Sequence, residues 1–92
     1  MLHENDIVRL KHNVPANSPR AWPGIPSTDL STGSMGTVVM VYKTDSTNSE
    51  YEVEFVDNDG HTLALLSLKE DDIELVSQPL MSQGSYSDLL AT

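Results

Sequence analysis

The chain has 92 residues, no cysteine and a formal net charge of −9 at pH 7. This length allows one small domain, and the lack of cysteine excludes disulfides, thiolate zinc sites and cysteine nucleophiles. The N-terminus is polar, unlike a signal peptide, and no apolar run reaches the roughly 20 residues needed to cross a bilayer. We therefore expect a cytoplasmic protein that does not span a membrane. Its acidic charge favours either solubility or binding to a basic protein, and it disfavours binding to nucleic acid.

The chain begins with a predicted strand followed by a long irregular segment. β-Branched residues in partial alternation predict a first strand over residues 6–11. From residue 12 to residue 35 the periodicity disappears, and prolines follow one another closely: Pro15, Pro19, Pro23 and Pro26. Such spacing excludes a helix interior and a central strand, so we predict a loop. Loops longer than about 12–15 residues are usually functional or disordered.

Four further strands are predicted, over residues 37–42, 51–56, 61–68 and 73–76. The second strand is apolar on both faces, as expected of a strand that bends across a barrel. The third alternates cleanly, so that its glutamates face water while these residues face the core: Tyr51, Val53 and Phe55.

Turn residues separate these strands. Gly36, in a turn predicted at residues 34–37, is expected to supply either a positive φ or a close backbone approach. Residues 43–49 form a second, polar turn. Residues 57–60 read as a tight turn with Gly60 at the position that needs a positive φ. Residues 69–72 predict one turn of 3₁₀ helix before the last strand.

This order of elements is typical of an all-β, five-stranded SH3-like barrel with a long first loop. We predict this barrel for residues 1–76 and a flexible C-terminal tail for residues 77–92, where residues 87–91 could add a short helix. The expected core consists of nine residues: Val8, Leu10, Val38, Val41, Val53, Phe55, Leu65, Ile73 and Leu75.

Several segments carry a family resemblance: GTVV at 36–39, YEVEFVD at 51–57, Gly60, ALLSL at 64–68, and Asp72-Ile73. Together they resemble a family of small bacterial proteins catalogued as a domain of unknown function. The resemblance covers about residues 5–76 and implies an SH3-like barrel similar to that of the nitrile hydratase beta subunit. The resemblance also implies that the family's genes often lie beside small toxin-like or uncharacterised genes, which hints at an antitoxin or immunity role. This chain departs from the pattern by a longer loop around residues 16–27 and by the tail.

No catalytic, metal or cofactor site is predicted. The three histidines, His3, His12 and His61, are interpreted as unrelated surface residues. The Asp57–Gly60 turn lacks the glycine and glutamate spacing of a calcium loop. No nucleophile elbow or phosphate loop is present, and Glu52 and Glu54 would point to solvent on one strand face, whereas general acid–base catalysis needs burial or a like-charge pair in a cleft. The sequence therefore predicts a protein that is not an enzyme.

The predicted site is a partner-binding surface. The only tryptophan lies in the long loop, either as a lid on the core or as an interface residue, since tryptophan and arginine are frequent at interface hot spots. The candidate binding residues are Arg20, Trp22, Ile25, Tyr42 and Tyr51, with the acidic residues Glu70, Asp71 and Asp72. The favoured function is a protein–protein interaction module for a basic partner, such as the antitoxin-like or regulatory member of a two-gene pair. The alternatives are a nucleic-acid-binding barrel, which the few basic residues disfavour, and an accessory or maturation subunit of an enzyme.

Overall fold

The computed structural model describes residues 2–43 and 49–78. The strands within these ranges are β1 (Ile7–Leu10), β2 (Met35–Lys43), β3 (Ser49–Val56), β4 (Thr62–Lys69) and β5 (Ile73–Ser77), with a 3₁₀ turn at Glu70–Asp72. They form one antiparallel sheet in the order β4-β3-β2-β1-β5. The predicted all-β class with five strands is thereby confirmed, and the domain is barrel-like. Nothing helical in the described ranges is long and apolar enough to cross a membrane.

Two expectations fall on undescribed parts of the chain. Most of the turn predicted at residues 43–49 lies outside the described residues. The predicted tail lies outside them beyond Gln78, together with the helix suggested at residues 87–91. Ser77, which the tail was expected to include, belongs to β5.

The core is built from alternate residues of all five strands and from the first loop. The buried strand residues are Val8, Leu10, Val38, Tyr51, Val53, Phe55, Ala64, Leu66, Leu68 and Ile73. Leu2, Val14 and Leu30 join them from outside the strands. Two-residue alternation explains this pattern, because every second side chain of a strand faces the same side of the sheet.

Three of the predicted core residues are placed differently. Val41 is only partly buried against the core. Leu65 is half-buried, because the register sets its neighbours Ala64 and Leu66 opposite the buried residues of β3. Leu75 is 44% exposed, since β5 lies at the edge of the sheet. Residues 63–66 are all apolar, so the sequence does not show which of them alternate toward the core and which toward solvent.

Gly36 allows β2 and β3 to approach closely. It lies within β2 and not in a turn, so the predicted turn at residues 34–37 is wrong, although the expected close approach is confirmed. A Cβ atom at Gly36 would lie 2.8 Å from both the Glu54 carbonyl oxygen and the Val53 side chain. A register shift between Val38 and Met40 then bends β2, as its two apolar faces predicted. Gly60 adopts the predicted positive φ, 84°.

Candidate binding surface

The long first loop is docked on the outer edge of β4. The Trp22 N–H donates to the Leu65 carbonyl (3.0 Å), and the Ser67 N–H donates to the Arg20 carbonyl (2.9 Å). Ala21 forms an antiparallel bridge with Leu66 between these two bonds. The loop therefore continues the sheet for three residues and satisfies backbone groups that an edge strand would otherwise expose.

The rest of the loop is also held in place. Val14 and Leu30 exchange two backbone hydrogen bonds, each 2.8 Å long, and both side chains are buried. Asn13 accepts hydrogen bonds from the N–H and hydroxyl of Thr32. The loop thus forms a closed lobe that contributes its own apolar side chains to the core.

Asp72 ties this lobe to the end of the barrel. Its carboxylate accepts hydrogen bonds from the Lys69 backbone N–H (2.8 Å), His12 Nε2 (2.8 Å) and the Arg20 guanidinium (2.5 Å). Burial alone would raise the pKa of this carboxyl, but the three donors outweigh burial and the net pKa is lowered. The same contact raises the pKa of His12, chiefly through its hydrogen bond to Asp72.

The acidic turn therefore contains residues in three different situations. Asp72 is only 7% exposed and is used internally. Glu70 accepts a hydrogen bond from the Tyr51 hydroxyl at 2.9 Å. Tyr51 itself is fully buried, and burial together with Glu70 raises its pKa. Of the three acids, Asp71 is the one for which the described residues provide no hydrogen bond, and it lies exposed.

Trp22 is held against the barrel but remains open to solvent. Its indole Nε1 donates to the Ser67 hydroxyl (3.2 Å), and the side chain is still 38% exposed. It borders an open groove of about 250 Å³ lined by residues 19–23 and Ser67. Ile25 is equally exposed a few residues later. The lobe packs through other residues, so Trp22 is available to a partner rather than serving as the core lid.

A row of side chains crosses the outer face of the sheet from Trp22. Ser67 of β4 is in register with Glu52 of β3, and Glu52 is in register with Met40 of β2. The nearby Glu52 carboxylate raises the pKa of Tyr42, which lies on the neighbouring strand. We call these five residues, Trp22, Ser67, Glu52, Met40 and Tyr42, the Trp22 surface.

Glu52 departs from its expected exposure. Its side chain points away from the core, as the alternation of β3 predicted, but the residue is only 8% exposed. The prediction that it faces water is therefore wrong. Neighbouring strands flank it on both sides, and its carboxylate is near enough to Tyr42 to raise the pKa of that tyrosine. A carboxylate sheltered among an aromatic and a thioether side chain is a favourable place for a cationic group, because low polarity strengthens the attraction.

The turn between β3 and β4 gathers three possible metal ligands. One ligand atom each of Asp57, Asp59 and His61 lies within 4.8 Å of the others. The Asp57 carboxylate accepts the backbone N–H groups of Asp59 and His61, bonds that also lower its pKa. These hydrogen bonds are those of an Asx turn, and they account for the arrangement without an ion.

The structure brings together residues that the sequence left separate. Of the predicted binding residues, Trp22, Ile25 and Tyr42 are exposed, whereas Arg20 and Asp72 pair with each other. Tyr51 lies inside the core, where a partner cannot touch it. Sequence reasoning did not select four residues that belong to these contacts: His12, Ser67, Glu52 and Met40. Only cross-strand register could have found Ser67 and Met40, and a single sequence does not contain that register.

These features define a small all-β, barrel-like domain that holds an exposed tryptophan beside a sheltered carboxylate. The chain belongs to the family described as Domain of unknown function (DUF4926), whose model matches residues 4–75. The predicted membership of a domain-of-unknown-function family is confirmed, while the likeness to SH3-like barrels stays a prediction. No curated protein and no solved structure is significantly similar to the chain.

Proposed function

We propose that this protein is a non-catalytic protein–protein interaction module that binds a basic partner through the Trp22 surface. The observation that carries the proposal is the fixed but exposed Trp22 side chain. Two backbone hydrogen bonds at Arg20 and Trp22, the Asp72 contact to Arg20 and the indole bond to Ser67 hold it in position. An aromatic side chain fixed before binding loses little conformational entropy when a partner covers it.

The chemistry of the surface supports a basic partner. Trp22 and Tyr42 lie on either side of Glu52 in the row across the sheet. Lysine or arginine of a partner would meet a carboxylate together with aromatic faces that attract cations. The net charge of −9 adds long-range attraction, which raises the association rate with a basic protein.

Binding fits the surface better than catalysis. The Asp72 carboxylate is engaged by three donors, and Glu52 is buried between neighbouring strands. General acid–base catalysis needs a titratable group that is free to exchange a proton with a substrate. Nucleic-acid binding is also less well supported, because Arg9 and Arg20 are each paired with a carboxylate.

The finer role that we propose is the antitoxin-like or regulatory member of a two-gene pair in a bacterial cytoplasm. It is supported by the family resemblance, because genes of that family often lie beside small toxin-like or uncharacterised genes. The acidic charge, which suits a basic partner, also supports it. The adjacent gene product is therefore the first probe to test.

The test is a titration of the full chain with the purified product of the adjacent gene. Trp22 is the only tryptophan, so a blue shift of its emission would report burial of this side chain, provided the probe is free of tryptophan. We expect Trp22→Ala to weaken binding, measured by calorimetry, at least about tenfold, as for an interface hot spot. Met35→Ala is the matched control, since Met35 is exposed on β2 where that strand pairs with β1, and should change affinity by less than about twofold.

Either of two results would overturn the proposal. One is the absence of binding to the adjacent product, and the other is binding that Trp22→Ala leaves unchanged. Tight retention of RNA or DNA in a filter assay at low salt would favour the nucleic-acid alternative instead. Co-purification with a metal-containing enzyme would favour the accessory-subunit alternative.

A further inference from the structure

The two outer strands of the sheet differ in how their free edges are satisfied. We call the outer edge of β4 the covered edge, because Arg20, Trp22 and Asp72 bond to its outward backbone groups. We call the outer edge of β5 the open edge. Within residues 2–43 and 49–78, β5 pairs with β1 and with no other strand.

The register identifies which backbone groups of β5 point outward. The Lys11 N–H donates to the Asp72 carbonyl (2.9 Å), and Arg9 is in register with Glu74 two residues further on. Hydrogen-bonded and non-bonded pairs alternate in an antiparallel ladder, so Glu74 bonds toward β1 while Ile73 and Leu75 direct their backbone groups outward. The Ile73 N–H is used by the Glu70 carbonyl. The register directs the Ile73 carbonyl and both backbone groups of Leu75 away from β1, and no turn or loop hydrogen bond within the described ranges reaches them.

The side chains of β5 do little to block pairing at this edge. Natural edge strands are often protected by lysine, proline or a covering segment. β5 reads IELVS, and its apolar residues Leu75 and Val76 are 44% and 41% exposed. Its one charged residue, Glu74, is held by Arg9 of the neighbouring strand at 2.6 Å. Short apolar strands with free outward groups are the surfaces to which peptides add as an extra strand.

We infer that the open edge of β5 accepts an extended segment of a basic protein partner as a sixth strand. This inference rests on the proposed function for the basic character of the partner. In this pairing an apolar residue of the segment lies opposite Leu75, with which it exchanges both backbone hydrogen bonds. The next residue is lysine or arginine and lies opposite Glu74, because opposite charges stabilise directly facing positions. Arg9 bonds to one carboxylate oxygen of Glu74, Oε1, so the second oxygen is the one that meets this cation.

Charge selects this occupant over a second copy of the chain. A two-fold pairing of β5 with itself would set Leu75 opposite Leu75 and Glu74 opposite Val76, which is sterically acceptable. It would, however, bring together two molecules that each carry a net charge of −9. The exposed acids Glu70 and Asp71 immediately precede this strand and add to the local repulsion. A basic segment meets attraction at the same place.

The test uses the full chain and a capped seven-residue peptide of alternating valine and lysine. Hydrogen exchange of the Leu75 amide, followed by NMR, is the direct readout, and saturating peptide should slow it at least about tenfold. A peptide of alternating valine and glutamate is the charge control and should bind at least about tenfold more weakly. Trp22 emission, recorded in the same samples, reports the Trp22 surface separately.

Backbone methylation of the peptide separates strand addition from general charge attraction. Valine faces Leu75 in the inferred pairing, so N-methylation of the valines removes the donors that point at β5. It should raise the dissociation constant at least about tenfold. N-methylation of the lysines changes the other edge of the peptide and should leave the constant within about twofold. Leu75→Lys places a protective charge at the edge and should also abolish the slowing of exchange by the peptide at the amide of position 75.

Several results would overturn the inference. Unchanged exchange at Leu75 at millimolar peptide would do so, whether or not Trp22 emission shifts. A shift of Trp22 emission alone would leave the proposed function standing and reject the β5 site. In the absence of peptide, the protection of the Leu75 amide could increase with protein concentration while sedimentation shows a growing fraction of dimer. That result would show that a second copy of the chain, and not a basic segment, occupies the edge of β5. Failure of the adjacent gene product to bind is measured independently and would reject the proposed function.

Discussion

The covered and open edges of this sheet show two ways in which a small barrel-like domain treats unpaired backbone. At β4 the chain supplies its own partner, because Arg20 and Trp22 bond to Ser67 and Leu65. At β5 the described chain supplies none. The difference originates in the first loop, which is long enough to cross the barrel end and return. The loop that looked irregular in sequence is therefore a structural cover as well as a candidate binding element.

The largest expected effect comes from removing the residue that fastens this cover. Asp72→Ala deletes three hydrogen bonds to a largely buried carboxylate and should lower the free energy of unfolding by about 2–3 kcal/mol. Urea denaturation measures the change. Asp71→Ala is the matched control, since Asp71 is exposed, and should change stability by less than about 0.5 kcal/mol. Equal effects of the two substitutions would show that Asp72 does not fasten the loop.

A smaller effect is expected from the contact between the cover and the outer face. Ser67→Ala removes the hydroxyl that accepts the Trp22 indole bond and should cost about 0.5–1 kcal/mol, as for one ordinary hydrogen bond. The more specific readout is Trp22 fluorescence anisotropy, which should fall as the indole becomes free to move. Ser31→Ala changes an exposed serine of the same lobe and should leave the anisotropy unchanged. If both variants keep the anisotropy of the wild type, Ser67 does not position Trp22.

The smallest effect is a pH dependence at the root of the loop. Asp72 raises the pKa of His12 in the folded protein, so His12 binds its proton more tightly in the folded state than in the unfolded state. Its contribution to stability is fully present below its ordinary pKa of about 6.5 and is lost as pH rises through the folded value. The His12 side chain is 47% exposed, and solvent screening limits this contribution to less than about 1 kcal/mol.

Denaturation at several pH values measures this contribution. The stability difference between wild type and His12→Gln should shrink on going from pH 6 to pH 8. The same comparison in an Asp72→Ala background should show no such change, because the partner that raises the pKa is gone. A pH dependence that persists in that background would assign it to another group.

Local sequence pattern was sufficient for the strands of this fold. β-Branched and alternating residues predicted all five strands, and Gly60 was correctly assigned a positive φ. Alternation also identified the core residues Tyr51, Val53 and Phe55 of β3, although it missed the burial of Glu52. It failed at Leu65, because residues 63–66 are apolar on both faces of the strand, so alternation could not show which face is buried. It failed at Leu75, because burial at an edge depends on what lies beside the strand.

The candidate site depended on contacts that a single sequence does not record. Trp22 was chosen for its residue type; it is exposed, and its role in binding stays a prediction. Asp72 and Arg20 were chosen separately, yet they are 52 residues apart and neutralise each other. Glu52 looked like a solvent-facing residue of β3, but the strands on either side of it bury it. Long-range pairing of charges and register across strands therefore account for most of what was missed.

Hydrogen exchange of the free protein, measured amide by amide, tests most directly the claim that one edge is covered and the other open. The outward amides of the covered edge, Ser67 and Lys69, donate to the Arg20 carbonyl and the Asp72 carboxylate. We predict that they exchange at least about a hundredfold more slowly than the Leu75 amide in dilute monomeric protein. A Leu75 amide protected as strongly as that of Ser67 under those conditions would contradict the account.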